Sequence, residues 1–103
     1  MKAAVLREVN APMTIEDVTI SKPRGREVLV RVEAVGLCHS DLHVIDGGWP
    51  NPLPCVLGHE VAGVVEQVGP EAHTVKPGDH VIVCLTFHCG HCGECHSGNS
   101  HRC

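Results

Sequence analysis

The 103-residue sequence carries 8 Lys and Arg residues against 12 Asp and Glu residues, a formal net charge of −4 at pH 7. The basic residues are scattered singly, so the sequence lacks the positive clusters by which proteins bind nucleic acid or anionic membranes. No apolar stretch approaches the roughly 18 residues of a membrane span, and the start does not resemble a secretory signal. We therefore expect one small domain, or part of a larger protein, in the cytoplasm.

Five segments are predicted as β-strands because apolar residues recur in them with a period of two: 2–8, 13–20, 27–36, 60–69 and 79–84. In 13–20 the phase slips between Ile15 and Val18, which predicts a β-bulge. Residues 38–46 predict a short helical turn, followed by a Gly- and Pro-rich loop. The sequence thus predicts a mainly β domain over 1–84 and an irregular cysteine-rich lobe over 85–103.

The lobe carries four cysteines in a C-x2-C-x2-C-x7-C pattern: Cys89, Cys92, Cys95 and Cys103. Seven cysteines without an export signal favour metal or thiol chemistry over disulfides. Four thiolates would fill the tetrahedral shell of a zinc ion, so this zinc would be structural rather than catalytic. The alternatives are two disulfides or a redox dithiol, because residues 89–92 are themselves a C-x-x-C motif.

A second group of chemically active residues lies upstream, in "GLCHSDLH" (36–43) and "PLPCVLGHEVAGVVEQVG" (52–69). Cys38 and His59 are two possible metal ligands in these segments. Taken alone, they are as compatible with a small buried thiol and a core histidine as with a joint metal site.

The G-H-E-x-x-G-x5-G pattern of the second segment resembles the signature of zinc-containing alcohol dehydrogenases of the medium-chain dehydrogenase/reductase family. "GLCHSDLH", "GGWP", "KPGDHV" and the four-cysteine lobe match the same family in order and spacing. The resemblance therefore covers essentially the whole chain. It implies a GroES-like, partly open β-barrel with a short helical turn and a structural zinc lobe.

The resemblance also implies a catalytic zinc centre. Cys38 and His59 would be two of its three protein ligands, leaving a position for the alcohol. Glu60 would lie behind the metal and approach it during ligand exchange. Asp41 would orient the imidazole of His59.

Further roles follow from the same resemblance. Ser40 would take the alcohol proton and His43 would pass it towards solvent, while His39 would face the cofactor pyrophosphate. Trp49 and Leu85 would line the substrate pocket. Simpler alternatives are that Ser40 caps the following turn, that both histidines are ordinary surface residues, and that Trp49 only packs on the Gly/Pro loop.

Two parts of such an enzyme are missing from the sequence. We find neither the third zinc ligand nor the Gly-rich turn of a Rossmann domain, which would bind NAD or NADP. The chain is therefore expected to be the N-terminal part of a homo-oligomeric dehydrogenase, inactive alone, whose parent oxidises a small primary or secondary alcohol to an aldehyde or ketone. The alternatives are a polyol, cinnamyl-alcohol or formaldehyde dehydrogenase, or a non-catalytic zinc-binding β-barrel module.

Overall fold

The computed structural model describes all 103 residues, Met1–Cys103. In chain order the elements are β1 (Lys2–Leu6), β2 (Thr14–Asp17), β3 (Val28–Gly36), α1 (His39–Ile45), β4 (Cys55–Val56), β5 (Glu60–Val68), β6 (His80–Ile82), α2 (Gly93–His96) and a 3-10 turn (Ser100–Arg102). The five predicted strands and the helical turn are confirmed with shorter ends. Sequence patterning missed β4 and α2, because each is too short to show a period. No helix is long and apolar enough to cross a bilayer.

The strands form two antiparallel three-stranded sheets. One has the order β2-β1-β4 and the other the order β3-β5-β6. The sheets do not join by strand pairing, so each keeps free edges. The mainly β architecture expected from the sequence is confirmed.

The predicted bulge in β2 is wrong. β2 pairs with β1 in regular register from Thr14 to Asp17, and Met1 and Val18 continue the pairing through backbone hydrogen bonds of 2.9 and 2.8 Å. Ile15 is 69% exposed, so no buried face requires the apolar phase to be kept along this strand. The irregularities lie instead between β3 and β5, where the register shifts twice.

The buried core is small and draws on β1 and β5. Leu6, Val5 and Val65 are its buried apolar side chains. Gly63 is also buried, and a Cβ there would overlap the backbone carbonyl of Arg31. The far half of β3 is less covered than its alternating pattern suggested: Val32 is 53% exposed.

An ion pair joins the first two strands. The Arg7 guanidinium donates two hydrogen bonds to the Glu16 carboxylate, at 2.7 and 2.6 Å. These bonds, with a third from the Thr14 hydroxyl at 2.6 Å, lower the pKa of Glu16 to about 2. The pair is exposed on the Arg7 side, so solvent screens it.

Candidate active site and metal centres

Strand pairing brings the two upstream segments together. Gly36, the last residue of β3, pairs with Glu60, the first residue of β5. Cys38 follows Gly36 by two residues and His59 precedes Glu60 directly, so both lie at the same end of the β3–β5 pair. A Cβ at position 36 would overlap the carboxylate of Glu60, which would then have to move.

Three donor atoms converge at this end of the sheet. The Cys38 thiol, a His59 ring nitrogen and a Glu60 carboxylate oxygen lie within 4.8 Å of one another. Thiolate, imidazole and carboxylate are the donor types that zinc takes in proteins, so the residues fit that ion. Cys38 and His59 are half-buried and Glu60 is exposed, so the cluster faces solvent on one side.

The thiol and the imidazole shift each other towards their charged forms. Hydrogen bonding from Ser40, then from His59, lowers the pKa of Cys38. The same contact with Cys38, with a smaller contribution from the charge of Asp41, raises the pKa of His59. The thiolate, which is the form that binds metal, is therefore favoured at this position.

Asp41 connects the two candidate ligands. Its side chain is buried in the first turn of α1, at 9% exposure. One carboxylate oxygen accepts a hydrogen bond from the Cys38 amide at 3.1 Å, and the other lies 3.4 Å from Nδ1 of His59. Nδ1 thus faces the carboxylate, and Nε2 is the nitrogen left for a metal.

The residues predicted for proton transfer separate into two places. Ser40 Oγ lies 3.4 Å from Nε2 of His59, within the cluster. Cys38, rather than Ser40, occupies the N-cap position of α1, so the capping alternative for Ser40 is wrong. His39 and His43 lie on the exposed side of α1 with ring centroids 4.7 Å apart. No hydrogen bond joins Ser40 to His43.

A cavity of about 380 Å³ opens beside Ser40 and His59. Trp49 and Leu85, which the family resemblance places in a substrate pocket, both line this cavity. Sequence patterning missed the rest of its apolar lining, formed by Val44, Pro50, Val56 and Leu57. The volume is within the range of small-molecule sites. A second cavity, of about 520 Å³, borders Cys38, His59 and Glu60 on the other side.

The four lobe cysteines converge on one point. Their sulfurs are separated by 3.5 Å (Cys92 to Cys95), 3.8 Å (Cys92 to Cys103) and 4.0 Å (Cys89 to Cys95). Zinc–sulfur bonds of about 2.3 Å place tetrahedral sulfurs about 3.8 Å apart, so the four thiols fit a zinc ion. All seven cysteines are free, and these separations are far longer than an S–S bond.

The lobe thiols differ in acidity. Backbone amides of His91 and Cys92 hydrogen-bond the Cys89 sulfur and lower its pKa to about 6. The Cys89 amide acts the same way on Cys103, but the neighbouring sulfurs of Cys89 and Cys92 outweigh it and raise the pKa of Cys103 to about 11. Four thiols this close cannot all ionise without a cation to offset their charge.

A side-chain hydrogen bond connects the lobe to the β domain. The Arg26 guanidinium donates a hydrogen bond of 2.8 Å to the carbonyl oxygen of Cys89. The two residues are 63 positions apart, and no sequence motif indicates the contact. Neither α2 nor the 3-10 turn contains a buried residue, so the lobe has no core of its own.

Comparison with known proteins identifies the family. Residues 24–103 match the model of the alcohol dehydrogenase GroES-like domain. The chain belongs to this family. The expected GroES-like fold and the resemblance to zinc-containing alcohol dehydrogenases are therefore confirmed.

Individual members of the alcohol dehydrogenase GroES-like family are similar along almost the whole chain. Geraniol dehydrogenase of Castellaniella defragrans is 54% identical over 103 residues, which are 99% of this chain and 27% of that enzyme. The structure of an alcohol dehydrogenase zinc-binding domain protein from Burkholderia ambifaria is 56% identical with a TM-score of 0.91, covering 99% of this chain and 27% of that one.

Benzyl alcohol dehydrogenase of Acinetobacter calcoaceticus superimposes with a TM-score of 0.90 at 44% identity, over 99% of this chain and 28% of the enzyme. The chain thus spans about a quarter of the length of the relatives it matches. The division into 1–84 and 85–103 stays a prediction.

Proposed function

We propose that the protein is a zinc-dependent alcohol dehydrogenase that oxidises a primary alcohol to an aldehyde with NAD or NADP. The observation that carries the proposal is the convergence of Cys38, His59 and Glu60 within 4.8 Å, with the Ser40 hydroxyl 3.4 Å from His59. A structural zinc site needs no adjoining hydroxyl or cavity. This one has both.

The two donor sets support the proposal of two zinc ions. Cys38 and His59 would hold the catalytic ion, with Glu60 close enough to exchange with a ligand. The four lobe cysteines would hold a structural ion and leave it no open position. When bound, the catalytic zinc supplies Lewis acidity and the nicotinamide accepts the hydride.

The chain's own residues would position the alcohol and move its proton. Asp41 holds the His59 ring by Nδ1, and Ser40 Oγ beside that ring is placed to accept the alcohol proton. His43 lies on the exposed side of α1 without a hydrogen bond to Ser40. A group between them, such as a ribose hydroxyl of the cofactor, would therefore have to complete the path to solvent.

The cavity favours an apolar alcohol of moderate size. Its lining combines Ser40, Asp41, Asn51 and His59 with apolar side chains that include the broad indole of Trp49. Geraniol and benzyl alcohol, the substrates named for two relatives, are both primary alcohols beside an unsaturated carbon. We assign this chemical class to the protein because both relatives are similar to this chain over 99% of its length.

Location and assembly complete the proposal. The cytoplasm expected from the sequence would keep seven cysteines reduced for metal binding. A homo-oligomer is expected from the family resemblance, and sedimentation velocity of the full protein tests it.

A chimera tests the proposed function. Residues 1–103 replace the matching 27% of the geraniol dehydrogenase of C. defragrans, and geraniol-dependent reduction of NAD is measured. We expect activity in the chimera and none in the isolated chain. Cys38→Ala should abolish the activity, whereas Cys84→Ala, at an exposed cysteine outside both clusters, should retain it.

Zinc content and thermal unfolding show whether each chimera is folded. A folded, zinc-loaded chimera without activity would contradict the proposal, as would full activity in Cys38→Ala. The remaining interpretation would then be a zinc-binding β-barrel module without catalysis.

A further inference from the structure

The exposed side of α1 carries two imidazoles one helical turn apart. His39 and His43 have ring centroids 4.7 Å apart with ring planes at 60°, the one close ring pair in the structure. Both residues are exposed. Neither ring has a hydrogen bond or ion pair with the protein, so all their nitrogens are available to a ligand.

The helix holds the pair in place. Residues four apart on a helix are side-chain neighbours. The carbonyl of His43 accepts a hydrogen bond of 2.9 Å from the Trp49 amide, and the buried Asp41 side chain fixes the first turn. The backbone under both histidines is therefore fixed before any ligand arrives.

The spacing suits a shared metal ion. Metal–imidazole bonds of about 2.0–2.1 Å require the two nitrogens to lie about 3 Å apart. Histidine χ2 is a broad torsion, so rings with centroids 4.7 Å apart can rotate to this separation without moving the helix. His43 and His39 are not part of the Cys38–His59–Glu60 cluster.

We propose that His39 and His43 form a third, exchangeable metal site, which chelates a divalent transition ion through two imidazoles. With only two protein ligands, the ion would keep open positions and bind more weakly than zinc in the four-thiolate lobe. Imidazole donors favour Cu²⁺ over Ni²⁺ and Zn²⁺. If the proposed function is correct, a bound ion also withdraws both histidines from the cofactor and from proton transfer.

Copper(II) nitrilotriacetate is a suitable probe, because the chelator leaves two adjacent positions on the ion. The probe is added to the zinc-loaded 103-residue chain, and pulsed electron paramagnetic resonance counts the coordinated imidazoles. We expect two imidazoles in the wild type and one in His39→Gln or His43→Gln. The affinity should fall about tenfold or more in each, because the second imidazole binds intramolecularly.

His73→Gln is the matched control, since His73 is an exposed histidine in the β5–β6 connection. It should leave both the signal and the affinity unchanged. Circular dichroism shows whether each variant keeps its fold. A single imidazole in the wild type would overturn the proposal, and so would unchanged affinity in the folded double variant H39Q/H43Q.

The experiments distinguish an error in the proposed metal site from an error in the proposed function. If copper binds two imidazoles but the zinc-loaded chimera lacks dehydrogenase activity, only the function is wrong. If the chimera is active but copper and NAD do not compete, the metal site stands and the cofactor role of His39 is wrong.

Discussion

Asp41→Asn tests whether the carboxylate holds the two proposed zinc ligands together. In the structure both of its oxygens face donors, the Cys38 amide at 3.1 Å and His59 Nδ1 at 3.4 Å. Asparagine has the same shape but only one acceptor oxygen, and its NH2 group would face the remaining donor. One of the two ligands therefore loses its support.

The size of the effect follows from this lost contact. Removing an outer partner of a metal-bound histidine costs about 10- to 100-fold in metal affinity, which is about 1.4–2.8 kcal/mol. A hydrogen bond to a charged group contributes about 1.5–3 kcal/mol, in the same range. We expect cobalt(II) affinity at the Cys38–His59 site to fall by about 10- to 100-fold.

Cobalt(II) titration against a chelator measures this affinity. The four-thiolate lobe gives the stronger sulfur charge-transfer band and serves as an internal reference. Asp46→Asn removes an exposed carboxylate at the other end of α1 and should change neither site. An unchanged affinity in a folded Asp41→Asn variant would refute the role of the carboxylate.

Three further predictions concern the core, the lobe and pH. Gly63→Ala should destabilise the fold by about 3 kcal/mol or more in urea unfolding, because the new Cβ would overlap backbone; Gly93→Ala should be neutral, because no atom lies within 4 Å. Equal stability of the two variants would contradict this. Cys103→Ser should lower the zinc content by one ion in native mass spectrometry, whereas Cys84→Ser should not; equal zinc content would exclude the lobe site. The Glu16 carboxyl should titrate near pH 2 by NMR rather than near 4.5. Because its folded pKa is lowered, its ion pair stabilises the fold fully above pH 4.5 and is lost as pH falls towards 2; an ordinary midpoint would show that the pair is absent in solution.

The fold could be predicted for strands whose own residues show an alternating or continuous apolar pattern. The alternating valines of 27–36 and the Val- and Gly-rich 60–69 gave β3 and β5, whose pairing forms the site. The β2 bulge could not be judged from phase, because Ile15 is exposed and no buried face enforces alternation. The exposure of β3 beyond Val32 depends on which other parts of the protein cover the sheet. The period of apolar residues within one strand does not show this.

The candidate site divides in the same way. The family resemblance, and not spacing alone, predicted a joint site of Cys38, His59 and Glu60; in the structure these residues lie at one end of the paired strands β3 and β5. The contact of Arg26 with Cys89 joins positions 63 residues apart and follows only from tertiary packing. The contact between the His39 and His43 rings follows from their four-residue spacing on a helix. The family resemblance gives each of these histidines a separate role and does not indicate the contact.

The lobe has no buried residue, so its folding stability depends on the concentration of the zinc ion that it binds. If zinc binds the folded lobe and not the unfolded chain, each tenfold rise in free zinc above the dissociation constant stabilises the lobe by about 1.4 kcal/mol. Apolar packing sets no such dependence for the sheets. The β domain has buried apolar side chains besides its proposed zinc site, so the stability of the lobe should depend more strongly on zinc concentration than that of the β domain.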